Sequence, residues 1–261
     1  IAAPLPRTHQ WMDGSAYLSH VERVRRARND TVPDSFYHDP LMYQGGGDAM
    51  LGPRDDIRVL SEDWGVDLEG EVGVITGDVK MGATPAEASE AVRLLVLIND
   101  ISYRKLIPPE LAKGFGFVNS KGANALSPVA VTPDELGSEW NSAKGAGKLD
   151  YRLVCHVRDA WFGNPNAADD MTFSLFDLVS HAAKTRELKA GTLIGSGTIS
   201  NHDVATGYAC IMEKRLVEQV ELGAAKTDFL RFGETISIDM FDHNGDTIFG
   251  AIEQKVARYK A

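Results

Sequence analysis

The tightest local constraint in this 261-residue chain lies near its end. Thr235-Ile236-Ser237-Ile238-Asp239-Met240-Phe241 alternates apolar and polar residues and runs into Asp242-His243-Asn244-Gly245. Asp246-Thr247-Ile248-Phe249-Gly250-Ala251-Ile252 follows. Two such runs around Asn-Gly specify an antiparallel hairpin, since a period of two puts one face inward and Asn-Gly suits a tight turn. Residues 67–76 and 151–158 alternate in the same way. Three segments read as helices. Residues 15–28 carry Tyr17, Val21 and Val24 on one side and Arg23, Arg25, Arg26 and Arg28 elsewhere, an amphipathic pattern with a basic outer face. Residues 84–95 open on Thr84-Pro85-Ala86-Glu87, a capping box with Pro at the first helical position. Residues 174–188 align Leu175, Leu178, Val179 and Ala182 on one stripe, with Lys189 and Gly191 as stop signals. Strands outnumber helices without alternating regularly with them, so a doubly wound parallel sheet is excluded and a mainly β, α+β chain is expected.

Composition narrows the function. The chain is 43% hydrophobic and 25% charged, an ordinary globular balance. Its 27 Lys and Arg against 37 Asp and Glu give a net charge of -10, which argues against generic nucleic-acid binding. No run approaches the roughly 20 apolar residues that span a bilayer. Cys155 and Cys210 could pair but read better as reduced core thiols, and neither forms a C-x-x-C motif. His156 follows Cys155 directly, and neighbours on a strand point to opposite faces, which makes them a poor nucleophile–base pair. The chain starts at Ile1 with no initiator Met and nothing like a signal peptide, so a cytoplasmic location is expected.

Four segments carry candidate chemistry. In Asp67-Leu68-Glu69-Gly70-Glu71-Val72-Gly73-Val74-Ile75, an extended strand puts Leu68, Val72 and Val74 on one face and Glu69 and Glu71 on the other. The two carboxylates then lie about 6.6 Å apart along the backbone. Either they flank a hard divalent cation or they form the solvated face of an antiparallel sheet. Leu94-Leu95-Val96-Leu97-Ile98-Asn99-Asp100 is an apolar strand ending in an acid, which reads equally as a ligand at the strand's mouth or a plain turn. Gly191-Thr192-Leu193-Ile194-Gly195-Ser196-Gly197-Thr198 follows a helix and lacks a correctly placed third glycine, so it is not a dinucleotide fingerprint. No Gly-Lys-Ser/Thr makes a phosphate loop, but a Gly-Thr pair can approach an anionic ligand closely. Asp13 either caps the helix near Ser15 or serves a site, and His20 on that helix is by itself ambiguous.

Taken in order, these segments resemble the fumarylacetoacetate hydrolase family. The resemblance runs from Asp13 to the final hairpin through Glu69-Gly70-Glu71, Asn99-Asp100, Ser120-Lys121 and Ser196-Gly197-Thr198. It implies a single catalytic domain over 1–261, lacking the separate N-terminal portion of many members. It also implies a mixed β-sandwich or β-roll with a few flanking helices, and a homodimer. Asp13, Glu69, Glu71 and Asp100 match the family's carboxylate ligands for Mg2+ or Ca2+, with Mn2+ compatible. His20 falls at the catalytic histidine and Glu213 at the carboxylate that orients it. Lys121 matches a further catalytic, substrate-contacting lysine, while Tyr43, Arg104, Gly197 and Thr198 are the expected substrate-binding residues. The helix carrying His20 is expected to belong to a mobile lid.

The resemblance implies a metal-dependent hydrolase that cleaves a C–C bond of a 1,3-diketo acid, as in aromatic amino acid catabolism. The alternative on the same fold is a 2-oxo acid decarboxylase, hydratase or isomerase, and a third reading makes the acid cluster a structural ion site. Lys105 stands where an Asp is usual after Arg104. Lys105–Leu111 lacks the pocket Gln and Tyr of fumarylacetoacetate-cleaving members, and Ser15 replaces a Tyr. These departures leave the substrate's identity open.

Overall fold

A computed structural model describes residues 1–26 and 31–260, with the side chains of Val24 and Arg26 left out. Arg28, expected on the first helix, lies outside the described residues. The first half of the chain forms β1 (Trp11–Gly14), α1 (Leu18–Arg26), β2 (Met42–Gly45), β3 (Ile57–Val59), β4 (Val66–Asp67), β5 (Gly70–Thr76), α2 (Pro85–Ser89), β6 (Val92–Asn99), β7 (Ser102–Tyr103), α3 (Ile107–Leu111) and β8 (Ala125–Leu126). The second half forms β9 (Leu153–Val157), β10 (Ala160–Gly163), α4 (Leu175–Ala182), β11 (Leu193–Gly195), α5 (Ile211–Leu222), β12 (Thr235–Met240) and β13 (Ile252–Arg258).

Two mixed sheets organise these strands. One runs β2-β1-β11-β5-β6-β8, with β1 and β11 parallel; the other runs β10-β9-β12-β13-β3, with β13 and β3 parallel. Val72, Val74, Leu95 and Leu97 on the first sheet join Leu153, Cys155, Ile236, Ile238 and Met240 of the second in one apolar core. The opposite face of the first sheet buries Trp11, Ile75, Val96, Ile98 and Leu193 in a smaller cluster. That face also carries Asp13 and Glu71, because the period of two places them beside Trp11 and Ile75. The expected α+β architecture of mainly strands is what forms.

Element boundaries moved for identifiable reasons. The capping box at Thr84 and Glu87 forms, but α2 stops at Ser89 and the apolar run from Val92 becomes β6, buried between β5 and β8. The helix expected from residue 15 starts at Leu18, because Ser15 N donates to Leu41 O and Ala16 N to Ser196 O, at 2.9 and 3.0 Å. α4 ends at Ala182, and Leu188 instead exchanges backbone hydrogen bonds with Val79. The hairpin turns at Asp242–Gly245, with Phe241 paired to Thr247, but its second strand begins only at Ile252. Between them Phe249 is fully buried and its carbonyl accepts from Val129 N at 3.0 Å, which draws the chain away from β12. A further helix, α5, escaped notice in the sequence because its apolar stripe is weak.

Cys155 and Cys210 are both buried and free. Burial pushes the Cys155 thiol up to about 12, so it behaves as a small core residue. Among the described residues no helix is long and apolar enough to cross a membrane. Leu95 sits in the centre of the core with no exposure. Leu95→Ala is expected to cost about 2–5 kcal/mol. Urea denaturation should show a lower midpoint with an unchanged slope.

Candidate active site

Asp13, on β1, lies in register between Tyr43 of β2 and Gly195 of β11. Glu71 projects from β5, Glu69 immediately precedes that strand, and Asp100 follows β6. Asn99 ties two of these positions together by accepting from Glu69 N at 3.1 Å through Oδ1, while Asp100 N donates to Glu69 O at 3.0 Å. One oxygen from each of the four carboxylates lies within 4.8 Å of the others, and all four residues are buried. The solvated-face reading of Glu69 and Glu71 is therefore wrong. Asp13 caps no helix; its Oδ1 accepts from Gly197 N at 2.9 Å.

Two glycines make this approach possible. A Cβ at Gly195 would lie 2.5 Å from Asp13 Oδ1 and 2.8 Å from Glu71 Oε2, filling the space between the carboxylates. Gly197 has φ of 77° and a Cβ there would meet Gly14 O at 2.4 Å, so only glycine presents this N–H to Asp13.

The cluster is short of positive charge. Glu71 Oε1 and Oε2, Asp100 Oδ1 and Thr198 Oγ1 are buried without a hydrogen-bond partner among the described residues. Burial and then the Asp100 charge push Asp13 well above the carboxylate range; burial and then Asp13 do the same to Glu71. Asp100 is raised by burial against the opposing pull of Lys121. Burial also pushes Glu69 up, but Arg104, Lys121 and His20 outweigh it and bring the group to about 2. Four buried carboxylates converging on one point match, once deprotonated, the oxygen donor set of a hard divalent cation.

Lys121 Nζ meets Asp100 Oδ2 at 2.6 Å, Ser102 Oγ at 2.8 Å and Glu69 Oε2 at 3.5 Å. It also lies 4.9 Å from the centre of the Tyr43 ring, and Tyr43 OH donates to Asp100 Oδ2 at 2.8 Å. Arg104 faces inward instead of toward open space. Its Nε donates to Asp67 Oδ2 at 2.7 Å, and its Nη2 forms an ion pair with Glu69 Oε1 at 2.5 Å.

His20, from α1, reaches Glu213, from α5, with Nδ1 and Oε2 2.7 Å apart. Glu213 is buried, and its Oε1 accepts from Ser200 Oγ at 3.0 Å and from Arg23 Nη1. Arg23 also donates to Asn201 O at 2.5 Å, so it belongs to this network and not to a solvated basic face. Ser19 Oγ donates to Ser200 O at 2.9 Å. These bonds fasten α1 to the chain after β11.

The Fumarylacetoacetate (FAA) hydrolase C-terminal family model matches residues 9–257. The chain belongs to this family. It is 26% identical over 215 residues to the 2,4-didehydro-3-deoxy-L-rhamnonate hydrolase of Sphingomonas sp. (strain SKA58), covering 81% of this chain and 69% of that one. For two further curated relatives the share of their own length is 65% and 53%. Among solved structures, 5-carboxymethyl-2-hydroxymuconate delta-isomerase from Mycobacterium smegmatis superposes with a TM-score of 0.66 at 18% identity, covering 100% of this chain and 83% of that one. A probable 2-hydroxyhepta-2,4-diene-1,7-dioate isomerase from Mycobacterium abscessus gives 0.67 at 19%, covering 100% and 79%. The fold is that of the fumarylacetoacetate hydrolase family, whose relatives include hydrolases and isomerases.

Several residues that hold this family member's site together carry no motif of their own. Asp67 accepts from Ile211 N and Met212 N at 2.8 and 2.9 Å, anchoring the first turn of α5, and from Arg104. The adjacency of Asp67 to the Glu69-x-Glu71 run was the available signal. Arg23 lies three residues after His20, one helical turn, which was legible as a shared face.

The shifts predict how ion binding depends on pH. In the metal-free protein, Asp13, Glu71 and Asp100 contribute stability below the unfolded carboxylate range of about 4, and that contribution is lost as pH rises through their raised values. Glu69 acts oppositely; its contribution is present above that range and lost only as pH falls through about 2. Protons therefore compete with a divalent ion at three of the four carboxylates. The thermal stabilisation by saturating Mg2+ or Ca2+ over chelated protein should be small at pH 5 and larger at pH 7. An ion effect of equal size at both would contradict the assignment.

Proposed function

We propose that this protein is a divalent-metal-dependent hydrolase that cleaves a C–C bond in a 1,3-diketo acid, of fumarylacetoacetate or acylpyruvate type. The observation that carries this reading is the His20–Glu213 contact at 2.7 Å beside a buried four-carboxylate cluster. The Sphingomonas relative supports it, since a 2,4-didehydro-3-deoxy acid carries oxidised carbons on either side of one carbon. Asp13, Glu69, Glu71 and Asp100 would hold Mg2+ or Ca2+, with Mn2+ also suited to an oxygen donor set. When bound, the ion supplies Lewis-acid stabilisation of negative charge developing on substrate oxygens.

The chain's own residues do the rest. With its Nδ1–H donated to Glu213, His20 presents an unprotonated Nε2. That nitrogen takes a proton from water as the water adds to one carbonyl carbon. The C–C bond beside that carbon then breaks, its electron pair leaves with the departing enolate, and the proton on Nε2 passes to that fragment. Glu213 holds the imidazole in one tautomer and stabilises its protonated form, while Arg23 and Ser200 hold Glu213. Lys121 offers a cation to the substrate's carboxylate, and Thr198 Oγ1 a hydroxyl without a partner among the described residues. Tyr43 and the backbone at Gly197 line the same place. Arg104 keeps Glu69 ionised. Family membership also supports a homodimer.

Metal-replete protein should hydrolyse at least one of fumarylacetoacetate, acetylpyruvate and fumarylpyruvate, stop with chelator, and recover with Mg2+ or Ca2+. His20→Ala should lower kcat by about 10²–10⁴-fold while leaving ion affinity unchanged. Oxaloacetate decarboxylation or double-bond migration without acyl cleavage would sink the hydrolase reading.

A further inference from the structure

The segment Lys105–Leu111 departs from the family pattern, and the reaction above gives its carboxylate no task. That carboxylate is nonetheless heavily bonded. Glu110, on α3, accepts from Val118 N at 3.1 Å, Asn119 N at 2.6 Å, Ser120 N at 3.1 Å and Ser120 Oγ at 2.5 Å. Three successive backbone N–H groups thus converge on one side chain that comes from eight to ten residues upstream. Burial raises the Glu110 carboxyl, but the Ser120 hydroxyl and these N–H groups outweigh it and hold it at about 2. The acceptor is therefore ionised at any working pH.

The clamped residues lead straight into the site. Ser120 O accepts from Tyr103 N at 2.7 Å, so Ser120 is gripped from both sides, by Glu110 and by β7. Lys121 pairs with Ser102 across the same ladder. Its Nζ then reaches Asp100, Ser102 and Glu69. Phe117, on the approach to the clamp, packs edge-on against Tyr43 with ring centres 5.4 Å apart. Between the two ends of the clamp Phe115 is wholly exposed, and the side chain of Val118 at its far end is largely so.

We propose that Glu110 is a positioning residue that fixes the Ser120–Lys121 backbone and thereby sets where the Lys121 ammonium stands over the carboxylate cluster. The proposal rests on the proposed function for its kinetic consequence, but not for its effect on ion binding. Lys121 sets a positive charge against Asp100 and Glu69, two of the four carboxylates, so Lys121→Ala should tighten Mg2+ or Ca2+ binding by removing a competing cation. Glu110→Gln keeps the shape but replaces one acceptor oxygen with a donor, and it should act in the same direction by loosening Lys121.

The test is a double-mutant cycle over wild type, Glu110→Gln, Lys121→Ala and the double variant, read by calorimetric ion affinity and by kcat and KM. Glu110→Gln should lower kcat by about 10- to 100-fold, the range typical of residues that position a site from outside it, and should tighten ion binding as Lys121→Ala does. In the Lys121→Ala background both effects should shrink to within about twofold, because nothing remains to be positioned. Effects that multiply independently, or a Glu110→Gln protein within about twofold of wild type in both readouts, would overturn the proposal. Should Glu110→Gln not fold, Ser120→Ala removes one of the four bonds and enters the same cycle. A wild type inactive on diketo acids overturns the proposed function, while the ion-affinity cycle still decides the role of Glu110.

Discussion

Placing four carboxylates within 4.8 Å of one another, out of water, is the constraint on which the rest of this site depends. At that separation each ionised pair costs roughly 3 kcal/mol even at an effective dielectric near 20. Lys121 and Arg104 bring two positive charges, and Arg104 divides its own between Glu69 and Asp67. The shortage of charge falls unevenly. Glu69, next to both cations, stays ionised, while Asp13 and Glu71, farther from them, are driven toward their neutral forms. The orphaned oxygens of Glu71 and Asp100 mark the side on which positive charge is lacking.

The fold meets this cost with backbone. β1, β11 and β5 lie side by side, and where Asp13 and Glu71 converge the strand between them carries Gly195. A second glycine, Gly73, faces Gly195 across the β5–β11 ladder. The large core between the two sheets then anchors strands whose other face is electrostatically unfavourable. Hydrophobic burial on one face offsets charge repulsion on the other, at about 25 cal/mol per Å² of apolar surface.

What was legible follows from the range of the interactions. Period-two alternation placed Glu69 and Glu71 opposite Leu68, Val72 and Val74, and the structure keeps that division. The capping box at Thr84 and Glu87 was also legible, being only four residues long. The length of the helix after it was not, because Val92–Asn99 joins β5 and β8 through partners far away in sequence. Motif order placed Asp13, Asp100 and Lys121 near the two glutamates, although each alone had an ordinary structural explanation. Arg23 was misread as surface because a basic residue's inward partner, Glu213, lies 190 positions away.

The same long-range contacts join the two halves of the site. Glu69 pairs with Arg104, Arg104 with Asp67, and Asp67 takes the N–H groups of Ile211 and Met212. Those N–H groups begin α5, and Glu213 stands one residue further on. A carboxylate at a helix N-terminus is favoured by the unpaired N–H groups there, so Asp67 fixes the helix that fixes Glu213. The acid cluster and the histidine pair are therefore set against each other through buried, charge-assisted bonds instead of loops. Those bonds hold the distance between the acid cluster and the imidazole, and the proposed general-base attack on a carbonyl would need that distance to be right within a fraction of an ångström.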